Sequence, residues 1–186
     1  MKLVDLSSSE EKARSVLRLA QLASLVTVLI VLAYGAYTSL TQDVQVIGLN
    51  FVDIEFPPPS ISPVYFKPIT YLYVASLTLM YSSLELHREM VRRLPSSVRT
   101  LIKLLSFVVA VTFSFELLFN LVFWAGQIAA ESLQGNLNPD LIFNPFPNPA
   151  KASNIVFTSR LWAVFLIAGA YTFHYITQLE KEEREE

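Results

Sequence analysis

The chain contains no cysteine. That single absence removes disulfides, thiolate metal sites, cysteine nucleophiles and cysteine-ligated iron–sulfur clusters. Glycine is also scarce, five in 186 residues, and none sits in a phosphate-cradling loop. His-Glu-x-x-His and Gly-x-Ser-x-Gly do not occur, so the common zinc-hydrolase and serine-hydrolase signatures are missing. There is no Asn-x-Ser/Thr sequon. Charge is sparse too: 16% of residues are charged, against about 25% in a typical soluble domain. Fourteen Lys and Arg face sixteen Asp and Glu, a net charge of −2. Without a basic excess, nucleic-acid binding has no electrostatic footing.

What is present is apolar. Hydrophobic residues make up 53% of the chain, and mean hydropathy is +0.44. Four stretches approach the roughly 20 residues that cross a bilayer: Leu19–Leu40, Ile69–Leu84, Leu104–Ala130 and Leu161–Thr177. The first is uncharged over its whole length. It exceeds a signal-peptide core of about 7–15 residues, so we expect it to be retained as an anchor. Helix punctuation agrees with these spans. Ser7 and Ser8 stand three residues before Glu10 and Glu11 in a capping-box pattern. Pro68 and Pro95 suit first helical turns, and Gly135 suits a helix C-terminus. The expected fold class is an all-α membrane protein, a four-transmembrane-helix bundle forming one domain. Its helices run over about 16–41, 68–87, 97–134 and 157–179.

Orientation follows the placement of Lys and Arg. Lys2, Lys12, Arg14 and Arg18 precede the first span. Arg88, Arg92, Arg93, Arg99 and Lys103 join the second to the third, and Lys181 and Arg184 follow the fourth. Only Lys67, Lys151 and Arg160 lie on the opposite side. Both termini and loop 88–96 are therefore expected in the cytoplasm, and loops 42–67 and 135–156 outside.

Those outer loops are rich in proline and aromatics. Nine of the ten prolines lie in or beside them, including Pro57-Pro58-Pro59 and the run from Asn144 to Pro149. Such segments are stiff and extended or turned. Val44 to Phe56 alternates imperfectly between apolar and polar residues, which suggests a short hairpin or edge strand. Phe51, Phe56, Phe143 and Phe146 are candidate partner contacts; covering the chain's own helix ends is the competing reading. The acidic tail Leu179–Glu186 reads as a solvated helix end or a frayed one.

Two groups of residues carry potential chemistry. Counting about 100° per residue from Thr112 puts Glu116, Asn120, Gln127, Glu131 and Gln134 on one stripe about 100° wide. A carboxylate facing hydrocarbon is costly, so the stripe must face protein or water. It serves either as interhelical hydrogen bonding or as the lining of a proton or cation path. The two histidines, His87 and His174, lie near the cytoplasmic ends of spans two and four. Two histidines on different helices can ligate a b-type haem, or join Glu85 at a metal. Against this, no His-x-x-x-His or Glu-x-x-His pair exists. Tyr171 and Gln178 share a helix face with His174. Ala20, Ser24 and Thr27 in span one, and Ala168-Gly169-Ala170 in span four, read as close-packing surfaces.

Three functions remain compatible with these features. The leading expectation is a non-catalytic accessory subunit of a larger integral membrane complex, without cofactor, whose helix faces and rigid loops dock other subunits. The alternatives are a small oligomeric channel or transporter lined by the third-helix stripe, and a haem- or metal-binding electron-transfer subunit.

Overall fold

The computed structural model of the chain describes residues 2–41, 51, 67–135 and 155–185. Of these, 95% are helical and none is in a strand. We number the helices α1 (Lys2–Thr41), α2 (Pro68–Leu86), α3 (Arg88–Arg92), α4 (Ser96–Leu133) and α5 (Ile155–Glu185). Pro68 opens α2, where its missing N–H would be unpaired in any case. Pro95 is the residue before α4 begins. Gly135, at φ 72°, ends α4 in the left-handed conformation that glycine adopts without strain.

Three departures from the sequence reading stand out. Loop 88–96 contains the short helix α3 rather than plain connection. The acidic tail does not fray: it is a helix end to Glu185 with Lys181, Glu183, Arg184 and Glu185 exposed, as the solvated reading has it, but Leu179 at its start is fully buried. At Phe51 the expected hairpin or strand is replaced by helix. The rest of the proposed hairpin, with Phe56, and the second outer loop, with Phe143 and Phe146, lie outside the described residues.

The four long helices form an open row, α1–α2–α5–α4, rather than a closed bundle. Cross-links fix their directions. Gln21 Nε2 donates to Ser83 Oγ at 2.9 Å, so α1 and α2 run antiparallel. Arg160 Nη1 approaches Thr70 Oγ1 at 3.4 Å, while Tyr175 donates to the Leu84 carbonyl at 3.0 Å. α2 and α5 are therefore parallel. Asn120 pairs with Ser159, and Lys103 with Glu180, so α4 and α5 are antiparallel. One end of the row thus gathers Gln21, Ser83, Tyr175, Lys103 and Glu180.

The core is thin. One cluster joins Val31, Ile69 and Leu72, with Phe51 and Phe157 packed on it. A second joins Tyr175, Ile176 and Leu179. At Gly169 α5 comes close to α4: an added Cβ would stand 2.7 Å from the Ser106 carbonyl oxygen and 2.9 Å from the Ala110 nitrogen. Of the expected small-residue surface at Ala168-Gly169-Ala170, Gly169 is thus a helix contact within this chain, while Ala170 is exposed. Hydroxyls on these helices fold back onto their own backbone, as Thr27 does to Ala23, Thr78 to Val74 and Ser82 to Thr78. That satisfies them without water.

Among the described residues two helices are long and apolar enough to cross a membrane: α1 between Glu10 and Thr38, and α4 throughout. α4 would measure about 57 Å, well beyond a hydrocarbon core of about 30 Å. Among the described residues α2 and α5 hold no such window: Tyr, Ser and Thr dilute α2, and Arg160, His174 and Gln178 dilute α5.

Candidate functional site

The polar stripe of α4 lies beside α5, not across from it. The α4 face touching α5 runs through Ser106, Val109, Ala110 and Phe113; Phe113 stacks on Phe165 with ring centres 4.8 Å apart. On the same helical count this face centres about 110° from Thr112. Asn120 sits within it and donates Nδ2–H to Ser159 Oγ at 3.2 Å. Gln127 also turns inward, and its Oε1 is buried with no hydrogen-bond donor among the described residues. Glu116 is half-buried at the margin, Glu131 is half-buried at the angle of the α5-facing side, and Thr112 and Gln134 are exposed. The five expected stripe residues therefore divide: Asn120 belongs to the helix contact, Gln127 turns inward, Glu116 lies at the margin of that face, Glu131 shares its angle, and Thr112 lies off it.

This division gives a testable ranking. Asn120→Leu should weaken the α4–α5 contact by about 1 kcal/mol, the value of one hydrogen bond between membrane helices. Glu116→Gln keeps the shape and should change stability by less than about half of that. Unfolding in a graded detergent titration measures both. Equal losses would mean that the Glu116 charge has a partner of its own.

The opposite end holds an ionic cluster that the sequence reading had split between a basic loop and an acidic tail. Arg88 Nη2 donates to both Glu182 oxygens at 2.6 Å, and Arg92 Nη2 to Glu182 Oε2 at 2.7 Å. Arg99 meets Glu183, and Lys103 meets Glu180, each at 2.5 Å. The hydrogen bonds from Arg88 and Arg92 hold the Glu182 carboxyl below the usual carboxylate range. The bond from Arg99 does the same for Glu183. Conversely, Arg88 and Arg99 hold their protons more tightly for having these acceptors. The spacing of Glu180, Glu182 and Glu183 matches a helix end facing a basic loop. That was the available signal; nothing in the sequence said which loop.

Between this cluster and the core lies a cleft of about 250 Å³ lined by Glu85, Arg88, Tyr171, His174, Tyr175, Gln178 and Leu179. Tyr171 donates its hydroxyl to Glu85 Oε1 at 3.3 Å. The shared face of Tyr171, His174 and Gln178 read from the sequence is one wall of it. His87 is not among the lining residues; it is exposed at the end of α2, with Nδ1 2.8 Å from the Ser83 carbonyl oxygen. Among the described residues no three His, Asp or Glu side chains gather as a metal site would require.

Phe51, expected as a partner contact, is half-buried against the chain's own helices. Its ring lies 5.4 Å from that of Phe157 and presses on the bare Cα of Gly35.

No known protein family matches the chain, and comparison with curated proteins and with solved structures finds no match.

Proposed function

We propose that the protein is a non-catalytic integral membrane subunit whose four long helices all span the bilayer and whose exposed helix faces dock other membrane subunits. One observation carries this reading. α4 is 38 residues long and apolar enough to cross a membrane, yet none of its apolar window is buried within the chain. Its one buried residue is Ser106. Phe107, Val111, Phe115, Leu118 and Val122 all stand exposed. Together with Leu105, Val108, Phe119 and Leu121, these exposed residues cover an arc of about 200° of the helix, at 100° per residue. A water-soluble protein does not leave so large a continuous surface uncovered.

Further features support docking over transport. Asn120 on α4 meets Ser159 on α5 side by side, as packing groups do. Apolar grooves of about 540 Å³ beside Phe115 and Phe173, and about 410 Å³ beside Ser24 and Ala75, offer seats for neighbouring helices. The alternating helix directions suit four successive crossings. They support an arrangement with the charged end of the row, and both termini, in the cytoplasm.

The test is purification from native membranes in a mild detergent. The protein should stay in the membrane through alkaline carbonate and then elute with one or more other membrane proteins in fixed ratio. Elution as a homogeneous homo-oligomer would favour the channel reading instead. Orientation has its own check. Ser8→Cys and Glu185→Cys should resist a membrane-impermeant thiol reagent in intact cells and react after permeabilisation. Reaction in intact cells would reverse the proposed orientation.

A further inference from the structure

Glu116 is a charge in the middle of an apolar helix. Lys103 and Glu131, the nearest charged residues along α4, stand about 20 Å and about 22 Å away at 1.5 Å per residue. Among the described residues Glu116 forms no hydrogen bond and no ion pair. The α5 groups that meet α4 are engaged elsewhere: Ser159 with Asn120, and Phe165 with Phe113. Arg160 is the nearest cation in depth among the described residues, since its neighbour Ser159 lies level with Asn120. It turns to Thr70 of α2 instead, and α5 stands between α2 and α4. A carboxylate in hydrocarbon is costly, and such groups face protein and pair. With no partner on these helices, one must come from another chain.

The face around Glu116 suits a neighbouring helix. Counting about 100° per residue from Thr112 puts Leu105 at about 20°, Glu116 at about 40°, Phe119 at about 340°, Phe123 at about 20° and Gly126 at about 320°. This face is turned away from α5, which lies at about 110° on the same count. Leu105, Thr112, Phe119, Phe123 and Gly126 are all exposed. Phe119 and Phe123 stack on one another with ring centres 6.3 Å apart. Gly126 has nothing within 4 Å of an added Cβ, so a second backbone can come close there. α4 ends the row, and no described helix covers this side of it.

We propose that this face of α4 docks a transmembrane helix of a different protein, one that carries a Lys or Arg at the depth of Glu116. Charge complementarity selects that occupant. Lipid tails offer the carboxylate nothing. A second copy presenting the same face would set Glu116 against Glu116, like charges in a medium that screens poorly. A basic side chain forms a charge-assisted hydrogen bond and neutralises the carboxylate where water is absent. This pairing rests on the membrane-subunit reading above and adds the chemistry of the partner.

The experiment places the full chain, labelled with a donor dye, in phosphatidylcholine vesicles. The probes are synthetic Leu/Ala helices of about 20 residues, labelled with an acceptor dye and carrying Lys, Gln, Leu or Glu at the centre. Energy transfer measures association. The Lys helix should bind at least about tenfold more tightly than the Leu helix, the scale set by truncating one partner of a desolvated charge pair. Glu116→Gln should bring the two within about threefold, and Glu116→Lys should move the preference to the Glu helix. Glu131→Gln, toward the far end of α4, should leave the preference unchanged. If Glu116→Lys fails to insert, Glu116→Gln, which keeps the shape, decides alone. Equal binding of the Lys and Leu helices overturns the proposal, as does a preference that survives Glu116→Gln. A Gln helix that binds as well as the Lys helix also overturns it, because hydrogen bonding without charge would then suffice. Energy transfer between two labelled copies of the chain, abolished by Glu116→Gln, would give the face to a second copy and overturn it likewise. The two readings fail separately. A chain that resists carbonate but shows no Lys preference keeps the membrane reading and loses this one, whereas a chain that carbonate releases loses both.

Discussion

Gly169→Val should loosen α4 from α5 and lower stability by about 3 kcal/mol, the upper end of the overpacking range. The cause is backbone, not side chain. A Cβ on residue 169 would meet the Ser106 carbonyl oxygen at 2.7 Å and the Ala110 nitrogen at 2.9 Å, and neither can swing aside. Two helices must therefore separate to admit it. Gly169→Ala should cost about 1 kcal/mol for the same reason. Gly126, on the same helix as Ser106, has nothing within 4 Å of its added Cβ. Gly126→Ala should therefore cost nothing, and gains helix propensity. Detergent-induced unfolding followed by tryptophan fluorescence separates the three, because Trp124 lies on α4 and Trp162 on α5. If Gly169→Ala and Gly126→Ala behave alike, the close approach at Gly169 is not what holds these helices together.

The second large effect is expected at the ionic cluster. Glu182→Arg would bring a third guanidinium to Arg88 and Arg92, turning two attractions into two repulsions. The tail of α5 beyond Leu179 should then fray, and amide exchange over residues 180–185 should rise at least about tenfold. Residues before Tyr171 should keep their protection, being held by Gly169 and the ring contacts. Glu185→Arg, on an exposed residue, is the control and should leave exchange unchanged. Because these groups are partly exposed, added salt should reproduce some of the effect.

Acid should act in the same direction. Glu182 and Glu183 have carboxyl pKa values depressed in the folded chain by their arginine hydrogen bonds. A depressed acid contributes stability that is present above its unfolded value of about 4.3. That contribution is lost as pH falls through the lower folded value. The tail should therefore stay ordered across neutral and mildly acidic pH and fray only below about pH 4.3. Release of the tail near pH 6 would point to a different titrating group.

Helix content and some helix ends were legible in the sequence because they depend on neighbours in the chain; the start of α1 at Lys2 and the end of α5 at Glu185 were not. Pro68, Pro95 and Gly135 mark boundaries that the structure reproduces to within a residue. The apolarity of α1 and α4 is likewise a property of composition. The α4 stripe was legible as a polar face, but its relation to α5 was not. Helical periodicity says which residues share a face, and nothing in it says where the neighbouring helix lies. The close approach at Gly169 set that position, and it rotated the contact away from Thr112 toward Ser106 and Phe113.

Contacts distant in sequence escaped entirely. Arg88 and Glu182 stand 94 positions apart, and Tyr171 and Glu85 stand 86 apart. Read alone, the tail was an acidic helix end and the loop a basic one. By itself the sequence determined the helices, their apolar lengths and the absence of cysteine chemistry, all of which follow from local composition and spacing. Only the tertiary structure decided the order α1–α2–α5–α4, the cleft at Glu85 and the pairing of tail with loop. The physical reason is that a helix can present the same face to any of several neighbours; close backbone approach and charge complementarity between distant segments choose among them.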